Sequence, residues 1–333
     1  MFMGKKTPYI YTLILILGFA FFFCGETNTA RAELAQTDVS IESVPEIPGP
    51  YENVTLTLIS YAVDLNRLQI TWFENGVSKL SGVGKKQYSF TTSGIGTVTT
   101  IEAKIVSGGA VLSKRFVIRP ASVDMLWEAT DTYIPPFYRG KALPSSEGVI
   151  KVVAFPHFKN GSGETASSAV VYNWKRNYNS VTDSSGYGKN VFLFKQSYLN
   201  PIEQIGLTAI DNGTGSSVKK TVYIKTYSPK IIFYEKDPLL GIKYEKAFNE
   251  IDVTDAEKSI IAEPYFFSPG NIFSSDLDFV WKINSSIVET PLVRNAITLK
   301  SGGEGVSNIT LEIKNKKRIF VNSKSSLKIN LLK

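Results

Sequence analysis

Beyond about residue 50 the chain is built from short runs in which apolar and polar residues alternate. Examples are Val54-Thr-Leu-Thr-Leu-Ile-Ser-Tyr61, Leu68-Gln-Ile-Thr-Trp72, Val98-Thr-Thr-Ile-Glu-Ala-Lys-Ile105, Ile205-Gly-Leu-Thr-Ala-Ile210 and Ile309-Thr-Leu-Glu-Ile313. A period of two sends successive side chains to opposite faces, so each run predicts a strand with one face in a core and one in water. Asn75-Gly76, Gly108-Gly109, Asn160-Gly161, Asp211-Asn212-Gly213 and Gly302-Gly303 separate the runs as turns. No helical period is sustained. Glu245–Ile251 and Asp255–Lys258 are the places where one short helical turn is expected.

The runs repeat. Leu68-Gln-Ile-Thr-Trp72-Phe-Glu-Asn75, Val170-Val-Tyr-Asn-Trp174-Lys-Arg-Asn177 and Leu277-Asp-Phe-Val-Trp281-Lys-Ile-Asn284 share one pattern, with tryptophans 102 and 107 residues apart. A period near 100 is the size of one β-sandwich domain. Gly82-Val-Gly84-Lys85 and Gly186-Tyr-Gly188-Lys189 follow the first two tryptophans and lead into strands. The expected fold is therefore all-β, with three tandem immunoglobulin-like β-sandwiches after an N-terminal signal peptide. The boundaries expected are 1–32 signal peptide, 33–50 Pro-rich leader, 51–119 first domain, 120–228 second domain with an insertion at 130–148, and 229–333 third domain with an insertion at 237–257. Trp72, Trp174 and Trp281 are read as core residues between two sheets, because a buried indole contributes several kcal/mol. The leader Val44-Pro-Glu-Ile-Pro-Gly-Pro50 is read as a stiff spacer.

The strand-Trp-x-x-Asn pattern, the turn after it and the period resemble the immunoglobulin-like superfamily, especially bacterial PKD-like and related surface modules. The arrangement also resembles exported proteins of candidate-phyla bacteria. The first resemblance implies sandwich modules on a cell surface, and the second points to no particular biochemical activity.

The first residues change the setting. Lys5 and Lys6 precede an apolar run, Tyr9 to Cys24, and Ala30-Arg31-Ala32 has the small-x-small form of a cleavage site. Cleavage after Ala32 is expected, with an uncleaved membrane anchor as the alternative. Lipidation of Cys24 is disfavoured by the three phenylalanines before it. The protein is thus expected to be secreted or in the cell envelope. One Cys excludes an internal disulfide and a cysteine-ligated cluster, and one His excludes a site built from several imidazoles. Stability must then come from core burial. The formal charge is +7, of which +2 falls in residues 1–32, leaving +5. Eight Lys/Arg lie between Lys300 and Lys333 against Glu304 and Glu312, a solvated strand face or a contact for an anionic wall polymer or lipid headgroup.

Candidate chemistry is sparse. His157 occupies the repeat position of Tyr265, so it reads as structural. Asn160-Gly-Ser162-Gly lacks the strand-turn-helix setting of a nucleophile elbow. Gly-x-Gly-Lys precedes a strand, not a helix, so its glycines read as turn residues and not a phosphate loop. Asp252, Asp255 and Glu257, and Asp276 with Asp278, lack the spacing of known calcium loops. The sequons at Asn53, Asn160, Asn212, Asn284 and Asn308 matter only where secreted proteins are glycosylated. No catalytic, cofactor-binding or metal-ligating residue is assigned, and no cofactor is expected. The two insertions carry the candidate interaction residues, Phe137, Tyr138, Arg139 and Lys141 in one and Lys243, Tyr244 and Lys246 in the other. Loops on a rigid scaffold commonly carry recognition, and Tyr and Arg are favoured at interfaces. The competing use is to cover sheet edges or fill the joint between domains.

The reading is a non-enzymatic exported surface protein, a structural, adhesion or assembly module. Its expected partner is an envelope protein or glycan, without nucleic acid, and with membrane contact only through an uncleaved N-terminus. The alternative is a carbohydrate- or wall-binding accessory protein, which predicts exposed aromatics lined up on one face. A hydrolase built on the insertions is the third.

Overall fold

The computed structural model describes residues 39–161, 163–254, 257–300 and 303–332. The predicted signal peptide or anchor, Cys24, Ser162 and Asp255 lie outside the described residues. Among the described residues no helix is long and apolar enough to cross a membrane.

The chain is all-β, and its strand pairing falls into three consecutive sets. The first set comprises β1 (Val39–Val44), β2 (Asn53–Ser60), β3 (Gln69–Glu74), β4 (Val77–Val83), β5 (Gln87–Thr91), β6 (Thr99–Ser107) and β7 (Ala110–Ile118). They form two sheets, β1-β2-β5 and β4-β3-β6-β7. The leader differs from the spacer expected: Val39-Ser-Ile-Glu-Ser-Val44 alternates and forms β1, and of the prolines that follow Pro45 lies in a bend and Pro50 in a turn. Leu56, Leu58, Ile70, Ile101, Ala103 and Ile105 are buried, as is Trp72.

The second set comprises β8 (Ser122–Ala129), β9 (Val149–His157), β10 (Lys159–Asn160), β11 (Gly163–Glu164), β12 (Val170–Arg176), β13 (Asn179–Ser180), β14 (Gly186–Tyr187), β15 (Val191–Lys195), β16 (Ile202–Asp211) and β17 (Ser216–Lys225). Sheet β15-β9-β8 faces sheet β13-β12-β16-β17, with β14 also on β12, and β10-β11 is a separate small ribbon. Val123, Ile150, Val152 and Phe192 from one layer meet Tyr172, Trp174, Ile205 and Leu207 from the other in a single core.

The third set comprises β18 (Lys230–Asp237), β19 (Gly241–Phe248), β20 (Glu250–Val253), β21 (Lys258–Tyr265), β22 (Leu277–Ile283), β23 (Ser286–Ile287), β24 (Ala296–Leu299), β25 (Gly305–Asn315) and β26 (Asn322–Leu331). Sheet β19-β18-β21-β24 covers sheet β20-β26-β25-β22-β23 over a core of Phe233, Ile260, Trp281, Leu311 and Leu327. The second and third sandwiches belong to one compact unit. Where the sequence suggests a long insertion with a helical turn, the structure has strands. Asp237 Oδ1 accepts from Leu239 N (2.8 Å) and Leu240 N (3.0 Å), which folds 237–241 into a tight turn and sends β19 back along β18. Glu250–Val253 then runs parallel to β26.

The repeat has a structural cause. Trp72, Trp174 and Trp281 are 0%, 1% and 0% exposed. A buried indole N–H must find an acceptor. Each does, on the turn that crosses to the opposite sheet: Lys85 O (2.7 Å), Lys189 O (2.9 Å) and Arg294 O (2.9 Å). The next residue of that turn accepts from the facing sheet, Lys86 O from Leu58 N, Asn190 O from Ala154 N and Asn295 O from Ala262 N. Gly84 (φ 71°) and Gly188 (φ 67°) make this turn, so the Gly-x-Gly-Lys segments serve the sandwich. The Asn three residues after each Trp opens a two-residue hairpin. Asn75/Gly76, Asn177/Tyr178 and Asn284/Ser285 all have positive φ, the requirement of a type I′ turn, and Asn tolerates that region.

Candidate functional site

The insertion after β8 starts at a closed base, where Thr130 N donates to Val149 O (2.8 Å). Asp131 Oδ1 accepts from Val149 N (2.8 Å), which points its other oxygen away from its own sandwich. That oxygen accepts from Ser268 Oγ (2.9 Å) and Arg318 Nη1 (2.8 Å), both in the third sandwich. Arg318 also donates to Ser268 Oγ. Two residues on, Tyr133 exchanges backbone bonds with the segment after β21: Tyr133 N donates to Phe267 O (2.7 Å) and Phe266 N to Tyr133 O (2.8 Å). Tyr198 and Phe320 stack at 5.7 Å and 13°, a further contact between the two sandwiches.

The insertion thus lies on the outer face of the β19-β18-β21-β24 sheet. Alternation would leave Ile261 and Glu263 in water, yet Ile260 through Pro264 are all buried. Glu263 is 1% exposed. A buried carboxylate is costly unless its oxygens are hydrogen-bonded. Tyr133 Oη donates to Oε2 (2.7 Å) and Tyr244 Oη to Oε1 (2.9 Å), while no Lys or Arg among the described residues pairs with it. Rings complete the cover: Tyr138 meets Tyr265 and Phe266 edge-on at 5.7 and 5.8 Å, and Tyr244 meets Tyr234 at 5.3 Å. Tyr234 and Tyr265 share a hydroxyl bond of 2.9 Å.

Burial, and then the bond to the Glu263 carboxylate, push the Tyr133 and Tyr244 hydroxyls above the ordinary phenol range. Burial and the Tyr234 hydroxyl do the same to Tyr265. The folded chain therefore holds phenol protons that the unfolded chain releases near pH 10, so this stability is present below about pH 10 and lost as pH rises beyond it. Urea midpoints measured from pH 8 to 11 are expected to fall steeply at the top of that range. The Tyr133→Phe/Tyr244→Phe double variant is expected to start lower and fall less steeply; an equal slope would show that these phenols are not linked to folding.

The candidate interaction residues divide by position. Tyr138, Lys243 and Tyr244 are engaged within the chain. Lys243 lies 2.9 Å from Glu235 and 3.6 Å from Asp237, and its bond to Glu235 holds its ammonium above its usual range. Lys243, Tyr244 and Lys246 sit on strand β19 and not on a loop. Lys141 stands 3.3 Å over the Trp127 ring, and burial there lowers its ammonium below the usual range. Phe137 is 88% exposed, at φ 64°, with its ring 6.2 Å from Tyr244. Arg139 and Lys246 are exposed. The structure brings Phe137, Tyr138 and Tyr244 to one cluster.

Asp131, Tyr133, Glu263, Ser268 and Arg318 were not legible as site residues. The available signal was Ile260-Ile261-Ala262, which breaks alternation and marks a strand covered on both faces. Other candidates are used structurally. His157 lies 3.2 Å from Asp124 across the β8–β9 pair. Lys314, Lys317, Arg318 and Lys328 of the basic C-terminal region are paired with Glu312, Asp276, Asp131 and Glu250. Among the described residues no group of three His, Cys, Asp or Glu is placed to hold a metal ion.

No family model matches the chain, and no curated protein matches it. Similar solved structures include the fibronectin(III)-like modules of Clostridium thermocellum CbhA, at 9% identity over 56% of this chain and 94% of that one, with a TM-score of 0.27. Immunoglobulin domains 1–5 of Sidekick-1 match at 13% identity over 86% of this chain, which spans 56% of theirs, with a TM-score of 0.28. Bacteroides ovatus SGBP-B of a mixed-linkage glucan utilization locus, in complex with a mixed-linkage heptasaccharide, matches at 13% identity over 90% of this chain and 71% of that one, with a TM-score of 0.21. The strand pairing within the chain itself makes it an all-β array of tandem sandwiches.

Proposed function

We propose that this chain is a non-enzymatic, exported surface protein, a structural or assembly module that holds its second and third sandwiches in fixed register and presents the remaining surface to an envelope partner. The observation that carries this reading is the use of the 130–148 insertion. Its aromatic and acidic side chains are spent on the neighbouring sandwich, through Tyr133–Glu263, Asp131–Arg318 and a backbone exchange, which suits a load-transmitting joint. Protease added to intact cells is expected to cleave the chain while a cytoplasmic marker stays whole; protection of the chain until lysis would reject a position on the cell surface.

A second reading, a carbohydrate- or wall-binding accessory protein, is favoured by one observation. Tyr178 and Tyr223 are exposed around the outer face of the β12-β16-β17 sheet, among polar side chains.

A further inference from the structure

We infer that the outer face of the β12-β16-β17 sheet carries a saccharide-binding groove centred on Gly206, fitted to an acidic oligosaccharide. The inference rests on the wall-binding reading and gives it a site. Pairing sets Lys175, Gly206 and Thr221 in one row across the three strands, and Asn173, Thr208 and Lys219 in the next. The central strand thus lacks a side chain where its neighbours have one, and a depression opens, bordered also by Gln204 and Tyr178.

The internal repeat shows what is unusual here. The residue after each core Trp pairs with Glu102 in the first sandwich and Thr310 in the third, but with Gly206 in the second. Glycine inside a strand weakens it and commonly marks a close approach by another group. The second departure lies beside it. The second residue of the type I′ turn is Gly76 in the first sandwich and Ser285 in the third, but Tyr178 in the second, at φ 71° and 79% exposed. A bulky residue in the left-handed region is strained, and such strain persists only where the surroundings impose it. They do so from beneath. The buried Glu203 carboxylate accepts from Arg176 Nε (3.0 Å) and from Arg176 Nη2 (2.6 Å), and from Asn177 Nδ2 (2.5 Å). Asn177 Oδ1 accepts from Gln204 N (2.9 Å). These bonds fix Asn177, and Tyr178 beside it stands at the rim of the groove.

The lining selects the ligand. Amides and hydroxyls of Asn173, Gln204, Thr208 and Thr221 suit the hydroxyl edge of a sugar, and a tyrosine ring suits its C–H face. Two ammonium groups, Lys175 and Lys219, border the groove, and among the described residues no carboxylate lines it, so a carboxylate-bearing sugar complements the charge. The contact of Lys219 with Glu46 is long, 3.8 Å, and both side chains are exposed, so it yields readily.

The test uses the purified full chain with an α-1,4-linked galacturonic acid hexamer, cellohexaose and hexaglutamate as probes in calorimetric titrations. Gly206→Val fills the groove, and its new Cβ meets only Lys175 Cβ at 3.7 Å and Thr221 Oγ1 at 3.8 Å, ordinary contacts. Tyr178→Gly removes the ring and relieves the backbone. Both variants are expected to melt at or above the temperature of the unsubstituted chain, so lost binding cannot be lost folding. The galacturonate hexamer should bind saturably, about tenfold or more tighter than in either variant, and more weakly as salt rises. Absent binding, equal binding of cellohexaose or hexaglutamate, or binding unchanged in both variants overturns the groove. Insoluble wall material separates the two levels: variants that sediment with it as the unsubstituted chain does reject the groove and keep the wall-binding reading, while an unsubstituted chain that stays in solution removes both.

Discussion

Trp281→Ala is expected to lower the stability of the third sandwich by about 3–5 kcal/mol, the range for deleting a buried aromatic side chain. Three losses add. The ring is fully buried in the core with Phe233, whose centroid lies 6.4 Å away. Its indole N–H satisfies Arg294 O on the crossing turn, and that carbonyl would be left without its partner. The same arginine holds Ser274 O (3.0 Å) and Leu277 O (2.8 Å) and covers Phe279, so a displaced turn disturbs the start of β22 as well. Against total domain stabilities of roughly 5–15 kcal/mol this loss is enough to unfold a large fraction of molecules. Urea unfolding followed by tryptophan emission and circular dichroism measures it. A loss below about 1 kcal/mol would mean that the ring does not carry the core.

The second large effect is at the joint. Arg318→Ala leaves the Asp131 carboxylate, half-buried against Ser268, without its cation, and a cost of about 1–3 kcal/mol is expected. The more diagnostic readout is cooperativity. The second and third sandwiches are expected to unfold in one transition in the unsubstituted chain and in a broader, less cooperative one after Arg318→Ala, because the joint then keeps only the Tyr133 bonds and the Tyr198–Phe320 stack. Asp131→Ala/Arg318→Ala should cost less than the two single changes summed, since the pair is removed together. A single calorimetric transition with an unchanged midpoint in Arg318→Ala would show that the two sandwiches are coupled elsewhere.

Several features of the chain were legible without coordinates because they are local or periodic. Alternation in runs such as Val98–Ile105 marks strands, since the pleat sends successive side chains to opposite faces. Trp-x-x-Asn marks a strand followed by a turn, since Asn tolerates the positive φ that a two-residue hairpin needs. Other features depended on what comes from elsewhere in the chain. The sequence around 237–257 reads as an insertion, but Gly241–Phe248 finds the edge of β18 and Glu250–Val253 that of β26, and backbone groups at a free sheet edge recruit such segments. Val39–Val44 is drawn from the leader into a sheet in the same way.

The sequence by itself determined the class of structure and its repeat, because period and turn chemistry are written in neighbouring residues. Only the tertiary structure decided what the insertion's aromatics do. Tyr133 and Glu263 are 130 positions apart, and Asp131 and Arg318 are 187 apart. No periodicity links residues at such separations; their meeting follows from how one sandwich seats on the next, and the bonds they form there are required by the burial that seating imposes. The depression at Gly206 is of the same kind, since an absent side chain becomes a groove only when strands from both sides stand beside it.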